Sequence, residues 1–487
     1  MPPGYDPTAM NEVEVDDIAI DSLCRLLAPD RARAVGDAMS RARACLGDRT
    51  VWHVNATARG GGVAEMLPTL LGYARSAGIS NRWLVLDGDP DFFEITKRIH
   101  NLLHGNLGDG GRLGSSERTV YERVLAGNLA SMMSLIAPGD VVMLHDPQTA
   151  GLVPGLHAAG AKVIWRSHIG LETTSAQTDA AWAFLRPYVE RAEAIVFSRK
   201  EYCPEWVAGE QLFVMPPSID PLSLKNRVLD VGLVHAVLVT AGLVQSADVV
   251  EPVPFSRRDG TAASVRGQVG LVAGADGGSA PPPDDARLVV QVSRWDRLKD
   301  MAGVLVAFAR MVAPGGLDDV HLLLVGPDVR GVTDDPEGAE VYASCVALAH
   351  EQPLAVRSRI HLVTLPMDDL DENALMVNAI QRQAYLIVQK SLAEGFGLTV
   401  TEAMWKARPV IASRVGGIQD QITDEQDGLL LDDPTDLDAL STSMRRLLLD
   451  HDLAEQLGSA GHARVLDQFL DDRHLVQHTE LYERILR

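Results

Sequence analysis

Glu394-Gly395-Phe396-Gly397-Leu398-Thr399-Val400-Thr401-Glu402 sets two carboxylates eight positions apart around a glycine-rich turn that opens a helix predicted over 399–406. Gly395 and Gly397 let backbone N–H groups come close to a ligand. A phosphate placed there meets unpaired helix N-terminal donors and the positive end of the helix dipole. The carboxylates can accept from ribose or hexose hydroxyls. A diphosphate carrying a sugar at each end therefore fits the pattern. The same Gly-x-Gly also closes ordinary tight turns before amphipathic helices in α/β proteins.

The run Ser293-Arg294-Trp295-Asp296-Arg297-Leu298-Lys299-Asp300 follows a predicted strand over 287–292, so two cations, Arg294 and Lys299, stand at a strand end. They either meet an anion or are ordinary solvated surface charges. The net charge of −22 opposes nucleic-acid and anionic-membrane partners through long-range repulsion. An anionic ligand of such a chain has to be held by local cations, which gives Arg294 and Lys299 added weight.

The 487 residues exceed one core and suit two domains, and 46% hydrophobic with only 5% aromatic residues points to aliphatic, sheet-rich packing. Short β-branched runs alternate with helical patterns, as in βα units with parallel sheets. Strands are expected over 51–54, 83–86, 141–145, 162–166, 194–197 and 212–215, then over 288–292, 321–325, 361–364, 384–388, 409–412 and 428–431. The expected fold class is α/β with two Rossmann-like domains facing an interdomain cleft. Residues 1–48 form an N-terminal extension and 49–244 the first domain. Residues 245–285, rich in Gly, Ser and Pro, read as a linker or mobile loop. Residues 286–466 form the second domain, and 467–487 read as a terminal helix.

Cys24, Cys45, Cys203 and Cys345 are widely spaced, with no CxxC or Cys/His cluster, and read as reduced thiols of a cytoplasmic protein. Residues 1–17 carry no secretory-signal pattern, and the longest apolar stretch, 233–244, includes His235 and is too short to span a bilayer. No GxSxG elbow or HExxH motif speaks for a hydrolase.

Ligands of open parallel sheets bind beyond the carboxyl ends of the strands. Three such loops stand out in the first half: the glycine-rich 55–65, His145-Asp146-Pro147-Gln148, and Trp165-Arg166-Ser167-His168. Gly61 and Gly62 either approach a ligand or merely loosen a turn. Arg166 either binds a sugar hydroxyl or pairs with an acid. The DxD in Asp87-Gly88-Asp89 could ligate a divalent metal, but aspartates after a strand more commonly cap the next helix.

Taken with Arg294 and Lys299, the Glu394–Glu402 motif resembles the donor half of retaining GT-B glycosyltransferases of family 4. The resemblance implies that Arg294 and Lys299 neutralise the donor diphosphate, that Glu394 lies near the transferred sugar, and that Glu402 holds the nucleotide ribose. Gly397, Leu398 and Thr399 would add backbone contacts, with Gly326 near the base. His168 resembles the histidine such enzymes present to the transferred sugar, and Asp146 an acceptor-binding carboxylate. Gly61 and Gly62 would lie over the diphosphate, the domain 49–244 would bind the acceptor, the terminal helix over 467–487 would return to complete that domain, and no protein-held metal is implied.

The blocks 52–57, 60–65, 88–97, 99–105 and 145–148 look like trehalose glycosyltransferring synthases, a likeness running from about 51 to the C-terminus. It implies transfer of glucose from NDP-glucose (UDP-, ADP- or GDP-glucose) to free glucose, giving α,α-trehalose with retention and in reversible fashion. No tightly bound cofactor is expected, with Mg2+ at most a stimulant that the protein does not ligate. The substrates are the small molecules NDP-glucose, glucose and trehalose, and the relatives imply a homodimer. Retaining trehalose phosphorylases resemble the same template but use inorganic phosphate, and a non-catalytic nucleotide-sugar-binding protein is the remaining alternative. The extension 1–47 and the stretch 245–285 depart from the family pattern.

Overall fold

The computed structural model describes residues 10–58, 62–244, 252–273, 280–329 and 336–487. Contacts divide the chain into two units, 1–218 with 470–487, and 219–469.

The first unit contains β1 (Asn11–Val13), β2 (Val51–Asn55), β3 (Asn81–Val85), β4 (Val141–His145), β5 (Lys162–Ser167), β6 (Ala194–Phe197) and β7 (Leu212–Val214). They form one sheet in the order β1-β3-β2-β4-β5-β6-β7, parallel except for β1. The central strands are buried along their whole length, as expected of a parallel sheet covered on both faces. Their β-branched and aliphatic residues pack with Trp52, Phe92, Tyr121 and Trp165 into the main core. The direction of strand succession reverses between β2 and β4.

The second unit contains β8 (Val253–Ser256), β9 (Ala262–Val265), β10 (Gly270–Ala273), β11 (Arg287–Val292), β12 (Val320–Pro327), β13 (Ile360–Leu365), β14 (Leu386–Gln389), β15 (Val410–Ser413) and β16 (Leu429–Leu431). Its sheet order is β10-β13-β12-β11-β14-β15-β16, parallel except for β10, with β8 and β9 forming a separate hairpin. Succession reverses between β11 and β14. The twelve strands expected from the sequence all form, with ends shifted by two residues or fewer.

Several boundaries need correction. The stretch 245–285 is not simply a linker: it holds β8, β9 and β10, with 245–251 and 274–279 outside the described residues. Tertiary contacts order it, since Arg257 pairs with Asp369 and Asp371 and the Arg266 and Gly267 amides donate to Glu372. The helix Val231–Ala241 belongs to the second unit, packing on the helix Leu370–Gln383, so the division falls at 218 rather than 244. The N-terminal segment is also no separate extension. Its helix Pro29–Leu46 lies along the terminal helix Asp471–Ile485 in the first unit, held by Arg31 to Asp472, Arg41 to Glu483 and Thr479 to the Ala38 carbonyl. Among the described residues, no helix is long and apolar enough to cross a membrane.

Candidate active site

In doubly wound sheets, ligands sit beyond the carboxyl ends of the strands where succession reverses. In the second unit the loops there are those after β11 and β14, and they carry Arg294, Lys299 and Glu394. Asp296 shapes the first loop, accepting from the Leu298 amide at 2.8 Å and from Arg294 at 2.9 Å. The Arg294 side chain is otherwise out in solvent, 66% exposed, as suits a cation that waits for an anion. Lys299 is largely buried and ion-paired with Glu394, which also accepts from Ser391 at 3.3 Å. The Leu392 amide donates to the Leu298 carbonyl at 2.7 Å and the buried Lys390 ammonium pairs with Asp300, so the two loops form one body.

Gly397 has φ +84, a conformation open to glycine at little cost, and it directly precedes the helix Leu398–Trp405. Leu398 and Thr399 begin that helix. Two contacts from distant sequence hold the turn in place. The buried Gln421 amide donates to the Phe396 carbonyl and accepts from Thr401, and the Gly417 amide donates to the Gly395 carbonyl at 3.1 Å. A Cβ on Gly417 would stand 2.8 Å from the Phe396 Cα and 2.6 Å from its ring.

Glu402 is buried on that helix. One carboxylate oxygen faces Lys225 at 3.2 Å, and the other has no hydrogen-bond partner among the described residues. A buried carboxylate oxygen without a donor is costly, so a ligand hydroxyl would be well received there. Beneath it the buried Lys406 donates to the Asn226 side chain at 3.0 Å, and desolvation holds its ammonium below the usual lysine range.

In the first unit the corresponding strand ends are those of β2 and β4, flanked by β5. Asn55 pins the loop after β2, accepting from the Trp83 indole at 2.7 Å and donating to the Thr57 carbonyl at 2.7 Å. Gly62 is the exposed first residue of the helix Gly62–Ser76, whereas Gly61 lies outside the described residues. Asp146 follows β4 in the left-handed region, φ +63, and its carboxylate accepts from the His168 amide at 2.8 Å. Strained backbone of this kind persists where the surroundings over-determine it, and functional sites are one such place. Burial pushes the Asp146 carboxyl up to about 6 despite that hydrogen bond and the charge of Arg166. His168, half-buried after β5, meets His145 edge to edge, nitrogen to nitrogen at 3.0 Å.

Two of the candidate residues are engaged within the protein itself. Arg166 is fully buried and donates to His474 at 2.9 Å and to the Met215 carbonyl at 3.2 Å, tying the terminal helix to the sheet. It is closed off from solvent. Gly326 is buried inside β12, and a Cβ there would stand 2.5 Å from the Trp295 indole nitrogen. Its missing side chain makes room for that ring. Asp89 of the DxD caps the helix Pro90–Leu103, accepting from the Phe92 amide at 2.9 Å and pairing with Arg123. Lys225, Gln421 and Gly417 support the site but were not singled out from the sequence. The glycine pair after β15 was the one local signal available, and nothing near Lys225 or Gln421 marks them.

Two family models match: "Trehalose synthase, N-terminal domain" over residues 53–204 and "Glycosyl transferases group 1" over residues 278–464. A trehalose synthase of Rubrobacter xylanophilus is 34% identical over 439 residues, covering 90% of each chain. A trehalose phosphorylase of Pleurotus pulmonarius is 25% identical, covering 85% of this chain and 54% of the relative. A solved structure described as "Trehalose-6-phosphate from E. coli bound with UDP-2-fluoro glucose" shares the fold, with TM-score 0.64 and 13% identity over 90% of this chain and 99% of that one. The two sheets, the loops at their reversals and these matches together place the chain in the trehalose synthase family of GT-B glycosyltransferases.

Proposed function

We propose that the protein transfers glucose from a nucleoside diphosphate glucose to the anomeric hydroxyl of free glucose, forming α,α-trehalose and NDP reversibly and with retention. The observation that carries this reading is the joined pair of loops bearing Arg294, Lys299 and Glu394 at the reversal of the second sheet. Arg294 and Lys299 bind the diphosphate, and the phosphate draws Lys299 away from Glu394. Glu394 is then free to accept from hydroxyls of the transferred glucose. Gly397, Leu398 and Thr399 offer backbone donors at the start of their helix. Glu402 takes the ribose hydroxyls on its unpartnered oxygen. From the first unit, His168 orients the transferred glucose, Asp146 meets the acceptor, and Gly62 lies by the diphosphate.

In the reaction the bond from the glucosyl C1 to the diphosphate oxygen breaks and a bond from C1 to the acceptor oxygen forms on the same face. The acceptor's proton passes to the departing phosphate. Charge builds on that phosphate in the transition state, so the preorganised Arg294 and Lys299 supply the largest stabilisation. The four free cysteines accord with a reducing, cytoplasmic setting, and we propose a homodimer by analogy with the family.

The phosphorylase match supports a second reading, in which the same cations hold inorganic phosphate. Glu402 separates the two, because a ribose-binding carboxylate has no task without a nucleoside. Product NMR with glucose plus UDP-, ADP- or GDP-glucose, and separately with trehalose plus phosphate, tests both. Trehalose formed only from a nucleotide sugar, and donor binding weakened strongly in Glu402→Ala, is the expected result. Glucose 1-phosphate formed only from trehalose and phosphate would refute it.

A further inference from the structure

His168 stands at the end of a row of imidazoles. Its Nε2 lies 3.0 Å from His145 Nδ1, and His145 Nε2 lies 3.1 Å from His53 Nδ1. The rings lie edge to edge along the row, with centres 5.3 Å apart at each step and planes 21° and 23° from parallel. The row crosses three neighbouring strand positions, from the residue after β5 through the last residue of β4 into the middle of β2. His53 and His145 are buried.

At its inner end the row reaches a cavity of about 20 Å³ lined by His53, Asn81, His478 and Tyr482 among others. Two buried polar atoms on that lining, Asn81 Oδ1 and His478 Nε2, have no hydrogen-bond partner among the described residues. The cavity is large enough for one water, and although most of its lining is aliphatic these two polar atoms are enough to hold it.

A neutral imidazole has one N–H and one lone pair. Both nitrogens of His145 are engaged, so its two hydrogen bonds must point the same way along the row. Only two arrangements satisfy this: every ring protonated on Nε2, or every ring protonated on Nδ1. In the first, His168 presents a lone pair on Nδ1; in the second, it presents an N–H. Burial, aided by the positive charge of Arg166, holds all three rings well below the usual imidazole range, so the row stays neutral at physiological pH.

We infer that His145 and His53 are positioning residues for His168: the imidazole row, closed at its inner end by a bound water, sets which proton state His168 Nδ1 offers to the transferred sugar. The nitrogen that carries a histidine's proton is set by what the other nitrogen bonds, here repeated over two steps. The inference rests on the role proposed above for His168.

The first test needs no variant. Nitrogen-15 NMR of the histidines in the full chain, assigned through His53, His145 and His168 single variants, should show the three rings in one common tautomer. Rings in opposite tautomers would overturn the row outright. The second test is His145→Leu. It should leave His168 with mixed tautomers and lower kcat for glucosyl transfer on the order of 10- to 100-fold, by analogy with residues that orient metal-bound histidines. KM for the donor should stay within about twofold. An unchanged His168 tautomer, or mixed tautomers with unchanged kcat, would refute the positioning role. If His145→Leu does not fold, His53→Gln at the row's inner end gives the same reading. Full activity in His168→Ala is a separate outcome that would sink the role of His168 itself.

Discussion

Gly417→Ala should slow catalysis without touching any group assigned to substrate. The new Cβ would lie 2.8 Å from the Phe396 Cα, where ordinary contact begins near 3.4 Å, so reaching ordinary contact takes a backbone shift of about 0.6 Å. Gly417 is itself hydrogen-bonded to the Gly395 carbonyl and Gln421 grips the Phe396 carbonyl, so the movement goes into the turn that carries Glu394 and Gly397. A displacement of 1 Å at a reacting site costs on the order of 10²-fold in rate. Scaled in free energy, 0.6 Å corresponds to roughly 10- to 20-fold in kcat. The assay is steady-state trehalose formation, with thermal melting alongside, since overpacking also destabilises by about 1 to 3 kcal/mol. Gly127→Ala is the control, because a Cβ there meets nothing within 4 Å. A Gly417→Ala enzyme that folds, melts lower and yet keeps wild-type kcat would refute the coupling of this turn to the chemistry.

Arg294→Ala removes one preorganised charge from the departing diphosphate and should raise the barrier on the order of 2 to 4 kcal/mol with little change in melting, because the side chain is mostly solvated; near-normal turnover would take it out of the site. Asp146→Asn tests the raised carboxyl. A folded value of about 6 against 3.8 unfolded means ionisation opposes folding, so wild-type stability from this group is largest below pH 4 and is lost as pH rises through 6. The Asn variant should gain up to about 3 kcal/mol on wild type at pH 7 and nothing at pH 4, read from urea melts at both, and a pH-independent difference would contradict this. Arg166→Met leaves His474 and the Met215 carbonyl without their donor, and should cost about 2 to 4 kcal/mol with faster amide exchange in the helix Asp471–Ile485. Unchanged exchange there would mean that the helix is anchored by other contacts.

The parallel strands were legible because buried β-branched runs repeat between helical patterns. The hairpin β8–β9 and strand β10 were not, since Val253-Pro254-Phe255-Ser256 alternates for only four residues and a Gly- and Pro-rich stretch follows closely. What orders them is Arg257 reaching Asp369 and Asp371, more than a hundred residues away. Arg294, Lys299 and Glu394 could be singled out because strand-end loops gather charged residues within a short span. Arg166 and Gly326 were candidates for the same reason, since each is the penultimate residue of its strand. Only burial distinguishes Arg166, inside the fold, from Arg294, in solvent.

The return of the chain end into the first unit also orders events during synthesis. Arg166 and Ser218 meet their partners His474 and Asp471 only after residues 219–469 have emerged. At about 5 to 20 residues per second, that wait is roughly 13 to 50 s. Throughout it the first unit carries a buried-to-be guanidinium that lacks its His474 partner and has the Met215 carbonyl alone, and the helix Pro29–Leu46 lacks the helix that packs along it. The second unit, contiguous in sequence, can close first, so the half made earliest on the ribosome is the half finished last.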